Sequence, residues 1–234
     1  MSILSLQGVV AGYGSAPILN GLDLALDEGD IGVIVGPNGA GKSTTLKAVF
    51  GLLAVSDGCI LLRGEDIANR PTESHAGRGL AFVPQEHNVF RTLSVQENLD
   101  MGAYVRRGER AALLDRVFEI FPPLKAKRAQ PAGELSGGQR QMVAVGRALM
   151  SDPSVLLLDE PTAGLSPLYM SELFDRVVAV NRTGVTVALV EQNARQALGI
   201  ATRGFVLAGG RMRFTGTGAE LLADPDVARS FLGG

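Results

Sequence analysis

The segment Gly36-Pro37-Asn38-Gly39-Ala40-Gly41-Lys42-Ser43-Thr44 decides how the rest of this 234-residue chain is read. It follows a short β-branched run at 30–35, whose apolar continuity between glycines predicts a fully buried strand. It precedes a helix expected to start near Gly41 and to run to about Phe50, with a stop at Gly51. Between them stands G-x-x-x-x-G-K-S. Its glycines let successive backbone N–H groups curl around a polyphosphate at the positive end of a helix dipole. Lys42 can reach terminal phosphates, and the Ser43 hydroxyl is a hard oxygen donor for the Mg²⁺ that bridges them. Lys42 is one of only four lysines among 22 basic residues, so its position in the pattern carries weight. The plain alternative is a glycine-rich strand-to-helix turn with no ligand. Nucleotide binding is the reading taken.

The bulk numbers bound the rest. A chain of this length fits one large domain, or a core with one subdomain. Hydrophobic content of 46% and charged content of 20% suit a globular fold. The formal charge of −2, without blocks of like charge, argues against a dedicated nucleic-acid binder. Arg106-Arg107 and Lys125-Ala126-Lys127-Arg128 read as solvated surface. No apolar run reaches the roughly 18 residues of a membrane span, and the N-terminus lacks a basic signal region. A cytoplasmic chain that meets a membrane through a partner is expected. Cys59 stands alone, which excludes an internal disulfide, and is expected to be a small buried hydrophobe. His75 and His87 lack metal-ligand spacing and are expected at surface or turn positions.

Residues 3–10 and 22–27 alternate and predict two antiparallel strands, with Gly12-Tyr13-Gly14 in a loop. On pattern alone Tyr13 is either a turn residue or an exposed ring able to stack on a base. A strand at 58–63, a short helix at 71–77 and a buried strand at 79–83 follow, the last leading to Pro84-Gln85. The pattern then changes. Ser94 and Glu97 form a capping box, and 108–120 is amphipathic with Leu113, Leu114, Val117 and Ile120 on one side, ended by Pro122-Pro123. Without a strand signal, this stretch is read as a helical subdomain inserted into an α/β core. Ser136 caps a long helix to Met150, and 155–158 is a central strand. Helices at 167–181 and 192–200 alternate with strands at 185–190 and 204–208, which predicts a parallel sheet. Gly209-Gly210 predicts a hairpin into 211–215, and the C-terminal residues look helical.

Two further stretches carry chemistry. The apolar run at 155–158 ends in Asp159-Glu160, at the strand edge where α/β sheets bind ligands. Asp159 is placed to hold Mg²⁺ opposite Ser43, and Glu160 to polarise a water for in-line attack on a γ-phosphate. The alternative is that two acids merely cap a strand end. Leu135-Ser136-Gly137-Gly138-Gln139 is a helix start that also offers a hydroxyl and unobstructed glycine N–H groups to an anion.

With GPNGAGKST at 36–44, LSGGQ at 135–139 and VLLLDE at 155–160 in order, the chain resembles the nucleotide-binding subunits of ATP-binding-cassette (ABC) transporters over essentially its whole length. The resemblance implies a P-loop α/β fold with a mixed β-sheet core and an antiparallel β-subdomain (1–85 and 155–234), and an inserted α-helical subdomain at about 86–154. It implies ATP and Mg²⁺ as ligands: Tyr13 against adenine, residues 36–44 around the phosphates, Gln85 at the metal or the attacking water, and Ser136, Gly137, Gly138 and Gln139 reaching the nucleotide of a second, head-to-tail chain. Two positions depart from the pattern. Ser166 stands where the D-loop aspartate is usual, and Gln192 where the switch histidine is usual. A glutamine amide can donate to a γ-phosphate but cannot titrate near neutral pH. Val190-Glu191-Gln192-Asn193-Ala194, the tail from Arg203 to Pro225 and the terminal Phe231-Leu232-Gly233-Gly234 resemble the shorter ATPase of bacterial branched-chain amino acid importers. That resemblance implies a longer ATPase paralogue, two membrane permease subunits and a periplasmic binding protein as partners, at the cytoplasmic face of the inner membrane. A urea or short-amide importer is the alternative. A lipopolysaccharide exporter, which keeps the histidine, and a soluble nucleic-acid-handling ATPase, which needs insertions this chain lacks, fit less well.

Overall fold

The computed structural model describes residues 2–14 and 16–231, with Arg107 described by its backbone alone. Met1 and residues 232–234, part of the terminal motif read above, lie outside the described residues. The chain opens with β1 (Ser2–Tyr13) and β2 (Ala16–Asp27), paired antiparallel. Both outrun the predicted spans. Register shifts follow Leu6 and Ala11, and Gly8 and Gly21 take φ of 59° and 71°, so bulges interrupt the alternation without ending the strands. Tyr13 therefore closes β1 instead of sitting in a loop. Next come β3 (Ile31–Val35), α1 (Lys42–Val49), β4 (Val55–Leu62), β5 (Glu65–Asp66), α2 (Glu73–Gly77) and β6 (Leu80–Val83). The strands at 2–66 other than β3 form a four-stranded antiparallel sheet in the order β2-β1-β4-β5.

The segment between β6 and the next strand is helical: α3 (Val95–Gly102), α4 (Arg110–Ile120), α5 (Pro122–Ala126) and α6 (Gly137–Leu149). Among its described residues the strand-like pairing is an isolated bridge between Ser94 and Pro131. The predicted capping box closes α3, with Ser94 and Glu97 exchanging hydrogen bonds. Pro122-Pro123 occupies the first turn of α5, where a missing N–H costs nothing, so the pair starts a helix as well as ending one.

The chain ends with β7 (Val155–Asp159), α7 (Pro167–Asn181), β8 (Thr186–Val190), α8 (Ala194–Gly199), β9 (Arg203–Ala208), β10 (Arg211–Gly216), α9 (Gly218–Ala223) and α10 (Pro225–Phe231). The second sheet runs β10-β9-β3-β8-β7-β6. All of its pairings are parallel except that of β10, which folds back on β9 through Gly209 and Gly210, both at positive φ as a tight hairpin requires. The sheet is thus mixed. β7 is interior to it, with β3 and β8 at the centre.

Both faces of this sheet are buried, and the pleat divides its side chains. Leu156 and Leu158 of β7, with Val187 and Leu189 of β8, face the cluster that includes the helical insert. Val155 and Leu157, with Ala188 and Val190, face the cluster formed by α1 and the antiparallel sheet. Continuous apolar runs are what such doubly covered strands need. They also bring the C-terminal ends of β3, β7 and β8 side by side.

Two side chains depart from the sequence expectation. Cys59 is half-buried, because on β4 the alternation turns Ile60 into the core and Cys59 outward, toward Gln7. His75 is fully buried: α2 tucks its ring 5.6 Å from that of Phe50, with both ring nitrogens lacking a hydrogen-bond partner among the described residues. His87 sits in an exposed turn at φ 53°, as expected.

Candidate functional site

β3 delivers the chain at Val35 into a turn that tolerates no side chain at two points. A Cβ on Gly36 would lie 2.1 Å from the Leu207 carbonyl oxygen, and one on Gly41 would lie 2.8 Å from Leu19 Cδ2; their φ values are 151° and 101°. α1 then starts at Lys42 from a left-handed Gly41, with no side-chain cap and no acid in its first turn. Its first N–H groups are therefore not claimed by a capping side chain. Lys42 Nζ donates to the carbonyls of Gly36 (3.0 Å) and Pro37 (3.3 Å) and lies 3.9 Å from Glu160 Oε1. Asn38, Gly39, Gly41, Lys42, Ser43 and Thr44, with Glu160 opposite, line a cavity of about 300 Å³.

The end of β7 closes the other wall. Ser43 Oγ donates to Asp159 Oδ1 at 2.6 Å. Asp159 is buried, and burial pushes its carboxyl above the usual carboxylate range, against the pull of the Ser43 hydrogen bond and of Lys47 and Lys42. Glu160 takes φ 45°, left-handed for a residue with a side chain. Its N–H donates to Val190 O, and its Oε2 accepts from Gln85 Nε2 at 3.1 Å. Lys42, Ser43, Asp159, Glu160 and Gln85 are thus joined from three separate segments.

A hydroxyl and a carboxylate side by side, beneath a loop built for anions and beside a lysine, form a hard-oxygen and cationic setting of the kind a Mg²⁺–nucleotide suits. The family model described as ABC transporter matches residues 19–163. The chain is 42% identical over 99% of its length to the high-affinity branched-chain amino acid transport ATP-binding protein BraG of Pseudomonas aeruginosa, all of which it covers. It is 43% identical to the probable branched-chain amino acid transport ATP-binding protein LivF of Archaeoglobus fulgidus, over 91% of each. The lipopolysaccharide export ATP-binding protein LptB of Haemophilus influenzae is 34% identical over the whole chain and 98% of that protein. Among solved structures, the ADP conformation of MJ1267, an ATP-binding cassette of an ABC transporter, superposes with a TM-score of 0.90 at 27% identity, over all of both chains.

The chain belongs to the ABC transporter ATP-binding family. It is an ATPase cassette with the P-loop ABC fold.

The remaining predicted positions of the cassette lie elsewhere. Tyr13 is 53% exposed beside α1, and its hydroxyl accepts a 3.4 Å contact from Lys47 Nζ. Ser136 caps α6 and exchanges hydrogen bonds with Gln139, whose Oε1 also accepts from Lys127 Nζ. Gly137 borders a separate cleft of about 920 Å³, shared with Gln85 and Ala163 to Leu165. A Cβ on Gly138 would lie 3.1 Å from Tyr169 of α7. None of residues 136–139 lines the P-loop cavity of its own chain. Gln192 is exposed on a third cavity of about 330 Å³, together with Glu160. Ser166 caps α7 without a side-chain hydrogen bond.

Sequence reasoning missed Glu191 and Thr162. Glu191 is 1% exposed and takes hydrogen bonds from Thr162 N (3.0 Å), Thr162 Oγ1 (2.8 Å) and Gln192 N (3.2 Å). Burial pushes its carboxyl up; the bonds from Thr162 and Gln192 pull it down, and Glu160 nearby pushes it up again. A signal existed, since Glu191 directly follows the buried, largely apolar strand β8 much as Asp159 closes β7.

Proposed function

We propose that this chain hydrolyses ATP as a subunit of an ABC importer for branched-chain, hydrophobic amino acids. The observation that carries the catalytic part is the single cavity bordered by Lys42, Ser43 and Glu160, with Asp159 and Gln85 bonded into its wall. The P-loop N–H groups and Lys42 hold the phosphates, and the exposed ring of Tyr13 takes the adenine. Ser43, Asp159 and Gln85 are the residues for Mg²⁺, which when bound neutralises phosphate charge. Glu160 accepts a proton from a water as its oxygen bonds to the γ-phosphorus and the bond to the bridging oxygen breaks, leaving ADP and phosphate. Gln192 offers an amide donor to the γ-phosphate.

Ser136 to Gln139 act on the nucleotide of a second cassette, a longer paralogue, in a head-to-tail pair. The separation of these residues from their own chain's P-loop supports that reading. In this scheme 1–85 and 155–234 form the catalytic core and about 86–154 the helical subdomain. Relatives named for branched-chain amino acid transport, at 42% and 43% identity against 34% for the lipopolysaccharide exporter, support the solute. No helix among the described residues is long and apolar enough to cross a membrane, so coupling to solute movement runs through permease subunits at the cytoplasmic face of the inner membrane, with a periplasmic binding protein beyond them. Exposed Leu52, Phe90, Met101, Tyr104 and Val105, some of them bordering an apolar groove of about 340 Å³, offer a surface for such a partner. The test is purification of the chain from its native membranes with mass spectrometry of what accompanies it. A longer ATPase, two permeases and a leucine-binding protein are expected. A urea-binding protein would overturn the solute, and ribosomes or DNA without a permease would overturn transport.

A further inference from the structure

One residue that none of the roles above uses ties together the segments that follow the strands at the site. Glu191 follows β8, and its own N–H donates to Ile34 O on β3, the strand that feeds the P-loop. Its side chain turns inward, away from solvent, and receives the three donors given above, two from Thr162 and one from Gln192. Thr162 is itself buried and stands two residues after Glu160. Glu191, Thr162, Glu160 and Gln192 border the same cavity of about 330 Å³. Among the described residues no lysine or arginine lies within ion-pair distance of Glu191. A buried carboxylate without a cation is costly and persists when several donors satisfy it. A hydrophobic residue would fill the space without that cost, so the polar group here is informative.

Two of the three donors come from one segment, the turn that follows β7. Glu160 is held at φ 45°, a strained conformation for a residue with a side chain that survives only where neighbours over-determine it. Its N–H is fixed to Val190 O and its carbonyl accepts from Ala163 N. Thr162, between them, is pinned to Glu191 through both backbone and hydroxyl. On the other side the same carboxylate takes the N–H of Gln192.

We propose that Glu191 is a positioning residue: it clamps the Glu160–Thr162 turn to the Gln192 loop and so sets the general base and the γ-phosphate donor in one geometry. Glu191 acts through Thr162 and Gln192, the residues its carboxylate holds. The proposal rests on the ATPase reading for its kinetic consequence, but the clamp itself does not depend on that reading.

Two variants test it in the full chain. Glu191→Gln keeps the volume but puts an amide donor where two donors now converge. Thr162→Val keeps the shape of Thr162 and removes one of the three bonds, leaving a folded alternative should the first variant be unstable. Expected for both is a fall in kcat, about 10- to 100-fold for Glu191→Gln and less for Thr162→Val, because small misplacements of reacting groups carry penalties of that order. The KM for ATP should barely move, since the P-loop donors lie outside the clamp. The double variant should be no slower than Glu191→Gln alone. Amide hydrogen exchange of Thr162 and Gln192, measured without nucleotide, should quicken in both variants while the P-loop helix stays protected. Unchanged kcat with unchanged exchange at Thr162 and Gln192 would overturn the clamp, as would additive losses in the double variant. A wild-type chain without ATPase activity would count against the ATPase reading alone, and the exchange measurement would still decide the clamp.

Discussion

Two helix starts in this molecule are marked by glycines for anions, and they are finished in opposite ways. α1 begins from Gly41 with no side-chain cap, and its first turn carries Lys42 and Ser43 against Glu160 and Asp159 at the end of β7. α6 begins from Ser136 with a complete capping box, braced by Lys127 on Gln139, and opens on a different cleft. The first leaves its backbone donors to a ligand and supplies the reacting groups within the same chain. The second satisfies two of its own donors, Ser136 N and Gln139 N, through the capping box. The Ser136 hydroxyl accepts from Gln139 N and keeps its own proton to donate. In the proposed head-to-tail pair the first receives a nucleotide and the second is presented to the nucleotide of the other cassette.

The largest expected effect breaks the first of these. Lys42→Ala should lower ATP affinity by about 100-fold or more, since it removes charge-assisted hydrogen bonds to phosphate; titration of the purified chain with a fluorescent ATP analogue checks it, and unchanged affinity would sink the P-loop assignment. Glu160→Gln should leave that affinity intact and slow hydrolysis by about 100-fold or more, the usual yield of a general base. It should also trap the ATP-bound pair, visible by sedimentation. Normal turnover in this variant would remove Glu160 from the chemistry.

The smallest effect lies away from both helix starts, at His75. Burial, and then Arg78 and Arg70, hold its imidazole below the ordinary 6.5. The unfolded chain therefore takes up the proton first. Stability from neutral His75 is complete above pH 6.5 and declines as the pH falls below it, by at most about 1.4 kcal/mol per pH unit. Thermal unfolding at neutral pH and at about pH 5.5 should show a smaller acid loss of Tm for His75→Phe than for the wild type. Equal losses would mean that His75 is not the group responsible.

Much of this was legible in the residues. The P-loop, the Asp159-Glu160 pair, the Ser94-Glu97 capping box and the Ser136 cap follow from local spacing, and local spacing is what backbone hydrogen bonding obeys. The apolar runs of β3, β7 and β8 marked strands covered on both faces. What escaped depends on neighbours distant in sequence. The extent of β1 and β2 was hidden by bulges that reset the alternation. The burial of His75 depends on Phe50, 25 positions away in the chain and adjacent only after folding. Glu191 needed Thr162, 29 residues earlier, before its carboxylate had a reason to be inside. The roles proposed for Tyr13 and Gln192 concern a nucleotide, so contacts within the chain do not display them.

The most direct test of the division between the two helix starts compares Ser136→Arg with Lys42→Ala, in the isolated chain and in the transporter purified from membranes. Ser136→Arg gives up a helix cap worth about 1 kcal/mol and should still fold. It should bind ATP in the isolated chain as tightly as the wild type, yet lower turnover in the assembled complex. Lys42→Ala should lose both. Equal loss of ATP affinity in the two isolated variants would place residues 136–139 at their own chain's nucleotide, and full turnover of the Ser136→Arg complex would remove them from the reaction; either result contradicts the account.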